Sequence, residues 1–126
     1  MKKCFLIFVG LFCLTSAFAS GELSSKDKKT TLKCTGLYYA NSMIPQGTLE
    51  LDKIVYSIAA KKFLTSYLIN QGMKEDLINS ELNKSVDELY GKPYDVKKTE
   101  ECNKYIYKLI PSSKKEIDKL VRSGIY

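Results

Sequence analysis

The chain has 126 residues, room for one domain, with 20 basic residues against 14 acidic ones, a formal net charge of +6 and no histidine. Without histidine the chain lacks the commonest general base, the usual partner of a nucleophilic Ser or Cys, and the commonest metal ligand. The composition therefore points away from an enzyme. The basic residues fall in scattered doublets, Lys28-Lys29, Lys61-Lys62, Lys97-Lys98 and Lys114-Lys115. A nucleic-acid binder gathers them into a patch or stripe, so the spacing argues against nucleic acid. The doublets read as solvated helix faces, with a basic docking surface for an acidic partner as the sharper alternative.

The first nineteen residues follow the plan of an export signal. Lys2 and Lys3 form a positive start, Cys4 to Leu14 an apolar stretch, and Ala17-Phe18-Ala19 a small-residue cleavage site. The uncharged run over residues 4–19 is 16 long, short of the ~20 residues a membrane-spanning helix needs. Cleavage, and not anchoring, is the expectation. It would place the chain in the periplasm or outside the cell, with no membrane contact once the signal is gone. Removing Lys2 and Lys3 leaves 18 basic residues against 14 acidic ones, a net charge of +4.

Two of the four cysteines, Cys4 and Cys13, leave with the signal. Cys34 and Cys102 remain, an even pair for an oxidising compartment, and they predict one disulfide. Two thiolates without histidine are half a metal-ligand set, so neither metal nor cofactor is expected. Residues 20–29 are polar, without apolar periodicity, and read as a flexible lead-in to a helical domain over residues 30–126.

Five helical segments are predicted. The first runs from about Thr31 to Met43, with Leu32, Cys34, Leu37, Tyr38 and Ile44 available to a core, and ends at Pro45-Gln46-Gly47. The second, about Leu49 to Asn70, is the longest, with Thr48 as its expected cap and Glu50 and Asp52 at the positive end of its dipole. Its stripe through Leu51, Ile54, Val55, Ile58, Ala59, Phe63, Leu64, Tyr67 and Leu68 is wide enough for several neighbours, and Gly72 stands where a left-handed residue would stop it. The third, about Lys74 to Tyr90, puts Ile78, Leu82, Val86 and Leu89 on one face. The fourth, about Lys97 to Ile110, carries Cys102, Ile106 and Leu109, with Tyr105 alongside. The last opens with Ser113-Lys114-Lys115-Glu116, a capping-box spacing, buries Ile117, Leu120 and Val121, and stops at Gly124. The pattern predicts an all-α bundle of four to five helices with one disulfide. Because Cys34 and Cys102 fall on the first and fourth segments, those two helices must be neighbours.

The carboxylate pairs Glu75-Asp76, Asp87-Glu88 and Glu100-Glu101 are adjacent in sequence and diverge on a helix, so they make poor acid–base pairs. Glu100-Glu101 is better explained by a helix start. No phosphate loop or calcium loop is present, and Asn83-Lys84-Ser85 matches a glycosylation sequon only in passing. Tyrosine stands out, with nine residues including Tyr38-Tyr39, Tyr90, Tyr94 and Tyr105-Ile106-Tyr107. Neighbours diverge on a helix, so one of each group should face outward, either edging the core or building a protein-binding face.

A helical Cys34 precedes a long helix with Ala59-Ala60-Lys61-Lys62-Phe63-Leu64, then a break at Gly72 and Val86-Asp87-Glu88-Leu89 at the end of the next helix. Tyr94 follows in a connection, then Glu101-Cys102 and a closing Ile117-Asp118-Lys119-Leu120-Val121. This arrangement, over roughly residues 32–121, resembles the periplasmic immunity proteins that protect bacteria from type VI secretion amidase effectors. The resemblance implies a helical, disulfide-bonded and often dimeric protein that blocks the cleft of a peptidoglycan-cleaving amidase. No short inhibitory motif carries over. The contact surface is placed on physical grounds on the polar face of the third segment (Lys74, Glu75, Asn79, Asn83) and the connection after it (Lys92, Tyr94). Two other readings stand beside this one. Small periplasmic acid-activated chaperones share the helices and the single disulfide, with a switch near pH ~4 set by carboxylates. A secreted effector or antigen is the third.

Overall fold

Helix α1 (Ser25–Ser42) opens the computed structural model, which describes residues 22–45 and 47–124; α2 (Leu51–Asn70), α3 (Glu75–Leu89), α4 (Val96–Leu109) and α5 (Ser113–Ser123) follow in order. The expected signal segment, residues 1–19, lies outside the described residues. The five helices form the expected all-α bundle, and the disulfide joins Cys34 on α1 to Cys102 on α4 across a Cα–Cα distance of 5.6 Å.

Helix α1 starts six residues ahead of its expected beginning at Thr31, so residues 25–29 of the expected lead-in are helical. The cause is capping and tertiary anchoring. Ser24 Oγ accepts the Asp27 N–H at 3.1 Å, and Asp27 sits in the first turn, where negative charge suits the dipole. Leu23 is buried, and its N–H donates to Gln71 Oε1 at 2.7 Å. The Tyr105 hydroxyl, on α4, donates to the Asp27 carboxylate. None of these anchors leaves an apolar period in the sequence.

Three other helix ends also depart from the expected pattern. Thr48 does not cap α2; its hydroxyl donates to the Pro45 carbonyl at 2.7 Å and shapes the turn, while Glu50 takes the capping position and pairs with Lys53 at 3.2 Å. Asp95 caps α4 by accepting the Lys98 N–H at 2.9 Å, which leaves Glu100 and Glu101 exposed in the second turn. The capping box at Ser113 does not form. Ser113 lies inside α5, fully buried, and its hydroxyl donates back to the Ile106 carbonyl of α4 at 3.3 Å.

Gly72 ends α2 as expected. At φ +91° its N–H donates to Ile69 O at 2.9 Å while the Met73 N–H reaches Leu68 O at 3.0 Å. This paired capping of the last carbonyls needs a left-handed residue, a conformation that costs an L side chain about 1 kcal/mol or more.

α1 is the hub, packing on α2, α3 and α4, while α5 closes against α2 and α4. Two apolar clusters follow. The larger joins Cys34, Tyr38, Ala59, Ala60, Leu64, Ile106, Ile110 and Ile117. The smaller joins Leu32, Leu68, Ile78 and Leu82, fixing α3 to the other side of the α1–α2 pair. Each fully buried Leu or Ile stabilises the fold by roughly 1.5–3 kcal/mol against leaving it in water.

Candidate functional site

The tyrosines divide between structure and surface. Tyr38 is 1% exposed, its hydroxyl donates to Asn103 Oδ1 on α4, and its ring meets Tyr56 edge-on at 6.2 Å. The Tyr56 and Tyr107 hydroxyls share a hydrogen bond between α2 and α4. Burial raises the phenol pKa of Tyr38 and, still more, of Tyr56, where the bond to Tyr107 adds to the shift. Tyr39 turns outward from its buried neighbour, as expected, and lies under the Lys61 ammonium at 4.9 Å. Tyr105 and Tyr107 are both half-buried and both tie helices together, so the expected outward member of that pair is absent. Among the described tyrosines only Tyr90 is exposed, at 81%.

Tyr90 belongs to the end of the bundle where α1 and α3 finish and α2 and α4 begin. Short connections force those four termini together, and each brings an exposed apolar side chain: Met43 after α1, Leu51 opening α2, Tyr90 after α3 and Val96 opening α4. Two adjoining clefts of about 500 Å³ each lie among them, sharing Ala40, Ile44, Leu89, Lys92, Pro93 and Tyr94. Lys53 stands 5.7 Å over the Tyr94 ring, bridging the start of α2 to the connection between α3 and α4. Glu50 beside Lys53 raises the pKa of this exposed ammonium, which stays charged at neutral pH. The result is an apolar surface with aromatic and methionine side chains inside a charged rim, the composition of a protein-binding patch.

Of the six residues expected at the contact surface, Lys92 and Tyr94 line these clefts. Lys74 and Glu75 lie at the opposite end of α3, and Asn79 and Asn83 on its exposed face, all outside the cleft linings. Helical rise alone puts Glu75 and Leu89 about 20 Å apart, so the six do not form one site. Sequence reasoning passed over Met43 and Val96, and singled out Tyr90 without placing it at the contact surface. It put Leu51 in the core-facing stripe, whereas Leu51 is 63% exposed at the first turn of α2. Their signal was position: large apolar side chains at helix ends.

The chain matches no family model, no curated protein and no solved structure. No likeness assigns a role to any residue of this surface, and the geometry has to argue alone. Among the described residues, no three His, Cys, Asp or Glu side chains gather where they could hold a metal ion, and no helix is long and apolar enough to cross a membrane.

Proposed function

We propose that this chain is an exported, non-enzymatic binding protein that grips another protein with the apolar end of its bundle. The observation that carries the reading is the meeting of Met43, Leu51, Tyr90 and Val96 at one end, each about half exposed or more. A lone exposed apolar residue is ordinary. Four at one end, three of them (Met43, Tyr90 and Val96) lining the two clefts, cost solvation unless something covers them. The signal-like start and the Cys34–Cys102 disulfide support work in an oxidising compartment. In that compartment the favoured partner is a peptidoglycan amidase delivered by type VI secretion, with this chain as its immunity protein, a reading that rests on the sequence resemblance.

The test is a binding measurement, at neutral pH, between the purified protein and the peptidoglycan amidase that this reading expects to be encoded beside its gene. A specific complex is expected, weakened at least ~10-fold by Tyr90→Ala with Met43→Ala, because aromatic anchors at an interface centre carry most of the affinity. The circular dichroism spectrum of that variant should match the parent's. Undiminished affinity in the variant would remove the apolar end from the interface. The acid-chaperone reading gains instead if no amidase binds and the protein suppresses aggregation of unrelated proteins only near pH ~2–3, below the carboxylate range.

A further inference from the structure

Lysines that look scattered in the sequence converge on a second surface, a groove of about 610 Å³ between α1 and α3. Lys28, Lys29 and Lys33 line it from α1 and Lys84 from α3, with Leu32, Met73 and Leu77 supplying apolar surface. Leu77 is 49% exposed. Glu81 and Glu88 also line the groove, but Glu81 is engaged with Lys84 at 3.6 Å. Lys28, Lys29 and Lys33 make no ion pair among the described residues. Their placement does not serve the helix either: they lie in the N-terminal half of α1, whereas a helix dipole favours cations at the other end. The groove lining thus carries four lysines against two glutamates, a net of two positive charges, beside an exposed leucine.

We infer that this groove binds an acidic amphipathic segment of a protein partner, its carboxylates against Lys28, Lys29 and Lys33 and an apolar side chain against Leu77 and Met73. Charge complementarity chooses the occupant. A flat anionic bilayer fits less well, because Glu81 and Glu88 line the groove among the lysines and would face it. A discrete segment can place its charges between them. This surface is distinct from the apolar end, and the inference stands or falls separately from the proposed function.

The test uses the disulfide-bonded protein and a fluorescein-labelled short helical peptide of Glu, Leu and Ala, with its counterpart carrying Lys for Glu as the control. Fluorescence anisotropy should show binding of the acidic peptide alone. Affinity should fall at least ~10-fold in the triple variant Lys28→Glu, Lys29→Glu, Lys33→Glu, and by a similar factor when ionic strength rises from ~0.05 to ~0.5 M. Leu77→Ala should weaken it several-fold, and Lys115→Glu with Lys119→Glu, on α5, should leave it unchanged. Three results overturn the inference. One is equal binding of both peptides, or of the acidic peptide to the triple variant. Another is no peptide binding while phosphatidylglycerol vesicles capture the protein, which assigns the groove to a membrane surface. The third is a concentration-dependent dimer that the triple variant abolishes, which assigns it to a second copy of the chain.

Discussion

Thr31 shows what a single buried polar atom does to this core. It is fully buried on α1, and its hydroxyl has no hydrogen-bond partner among the described residues. Thr35, one turn on, satisfies its own hydroxyl by donating to the Thr31 carbonyl at 2.7 Å, so the two threonines are not equivalent. An unpaired buried hydroxyl forfeits its hydration without return. Thr31→Val keeps the shape and removes the orphan. It should raise stability by about 1 kcal/mol in urea denaturation, while Thr35→Val, which breaks a bond, should not. The phenols give a second residue-scale expectation. Burial holds the Tyr38 and Tyr56 phenols well above the ordinary tyrosine value of about 10. Below that value both the folded and the unfolded phenols are protonated, and these groups leave stability level. Above it the unfolded chain releases protons that the fold retains, so the folded state loses ground as pH rises. The urea midpoint should drop between about pH 9 and about pH 11. The drop should be smaller in Tyr56→Phe, and an equal drop in that variant would clear Tyr56 of any part in it.

At the scale of the element, α1 and α3 pack tightly at Gly36 and Ser85. A Cβ placed on Gly36 would lie 2.7 Å from the Ser85 Cβ, a separation that rotating the serine hydroxyl does not relieve. Alanine in place of glycine gains about 1 kcal/mol of helix propensity, but overpacking costs about 1–3 kcal/mol. Gly36→Ala should therefore be destabilising or neutral, against the propensity scale. Ser85→Gly in the same chain should recover part of any loss, and calorimetric Tm values of the two singles and the double read the coupling. This contact also explains what the sequence showed and what it hid. Helices α2 to α4 were legible to within two residues because Ile54, Leu64, Leu68, Ile78, Leu82 and Ile106 recur at helical spacing and are buried. α1 was harder. Its buried positions include Thr31, Thr35, Gly36 and Asn41, residues that periodicity scores as surface, so the hub of the bundle read as one ordinary helix. Asn41 Nδ2 donates to Thr99 Oγ1 of α4 at 3.2 Å, a polar pairing between helices that no single-sequence pattern displays. The caps failed for a related reason. Thr48 and Ser113 have suitable chemistry, and tertiary neighbours put their hydroxyls to other uses. The apolar end was half visible: Lys92 and Tyr94 were placed in the connection that lines it, while Tyr90 stood out as a tyrosine but was not assigned to the contact surface.

For the molecule as a whole, the disulfide decides how α4 stays in place. α4 meets α1 through Cys34–Cys102, the Tyr38–Asn103 and Asn41–Thr99 hydrogen bonds, and the Tyr105 bond to Asp27. Most of these are polar links, each contributing roughly 0.5–1.5 kcal/mol net. The larger cluster adds apolar packing, with Cys34 and Tyr38 from α1 and Ile106, flanked by the partly buried Cys102, Tyr105 and Leu109, from α4. Closing the 68-residue separation between the cysteines restricts the unfolded chain by about 4 kcal/mol in the chain-entropy model. A domain of this size has only ~5–15 kcal/mol in total, so the crosslink is a large share of its stability. Replacing both cysteines with serine should lower the unfolding free energy by about 4 kcal/mol. Hydrogen exchange should then rise first along α4 and α5, because α3 is held separately through Leu68, Ile78 and Leu82. Reducing the native bond should reproduce the pattern. Uniform acceleration across all five helices would show instead that the bundle opens as one unit, with the disulfide acting only on the unfolded chain.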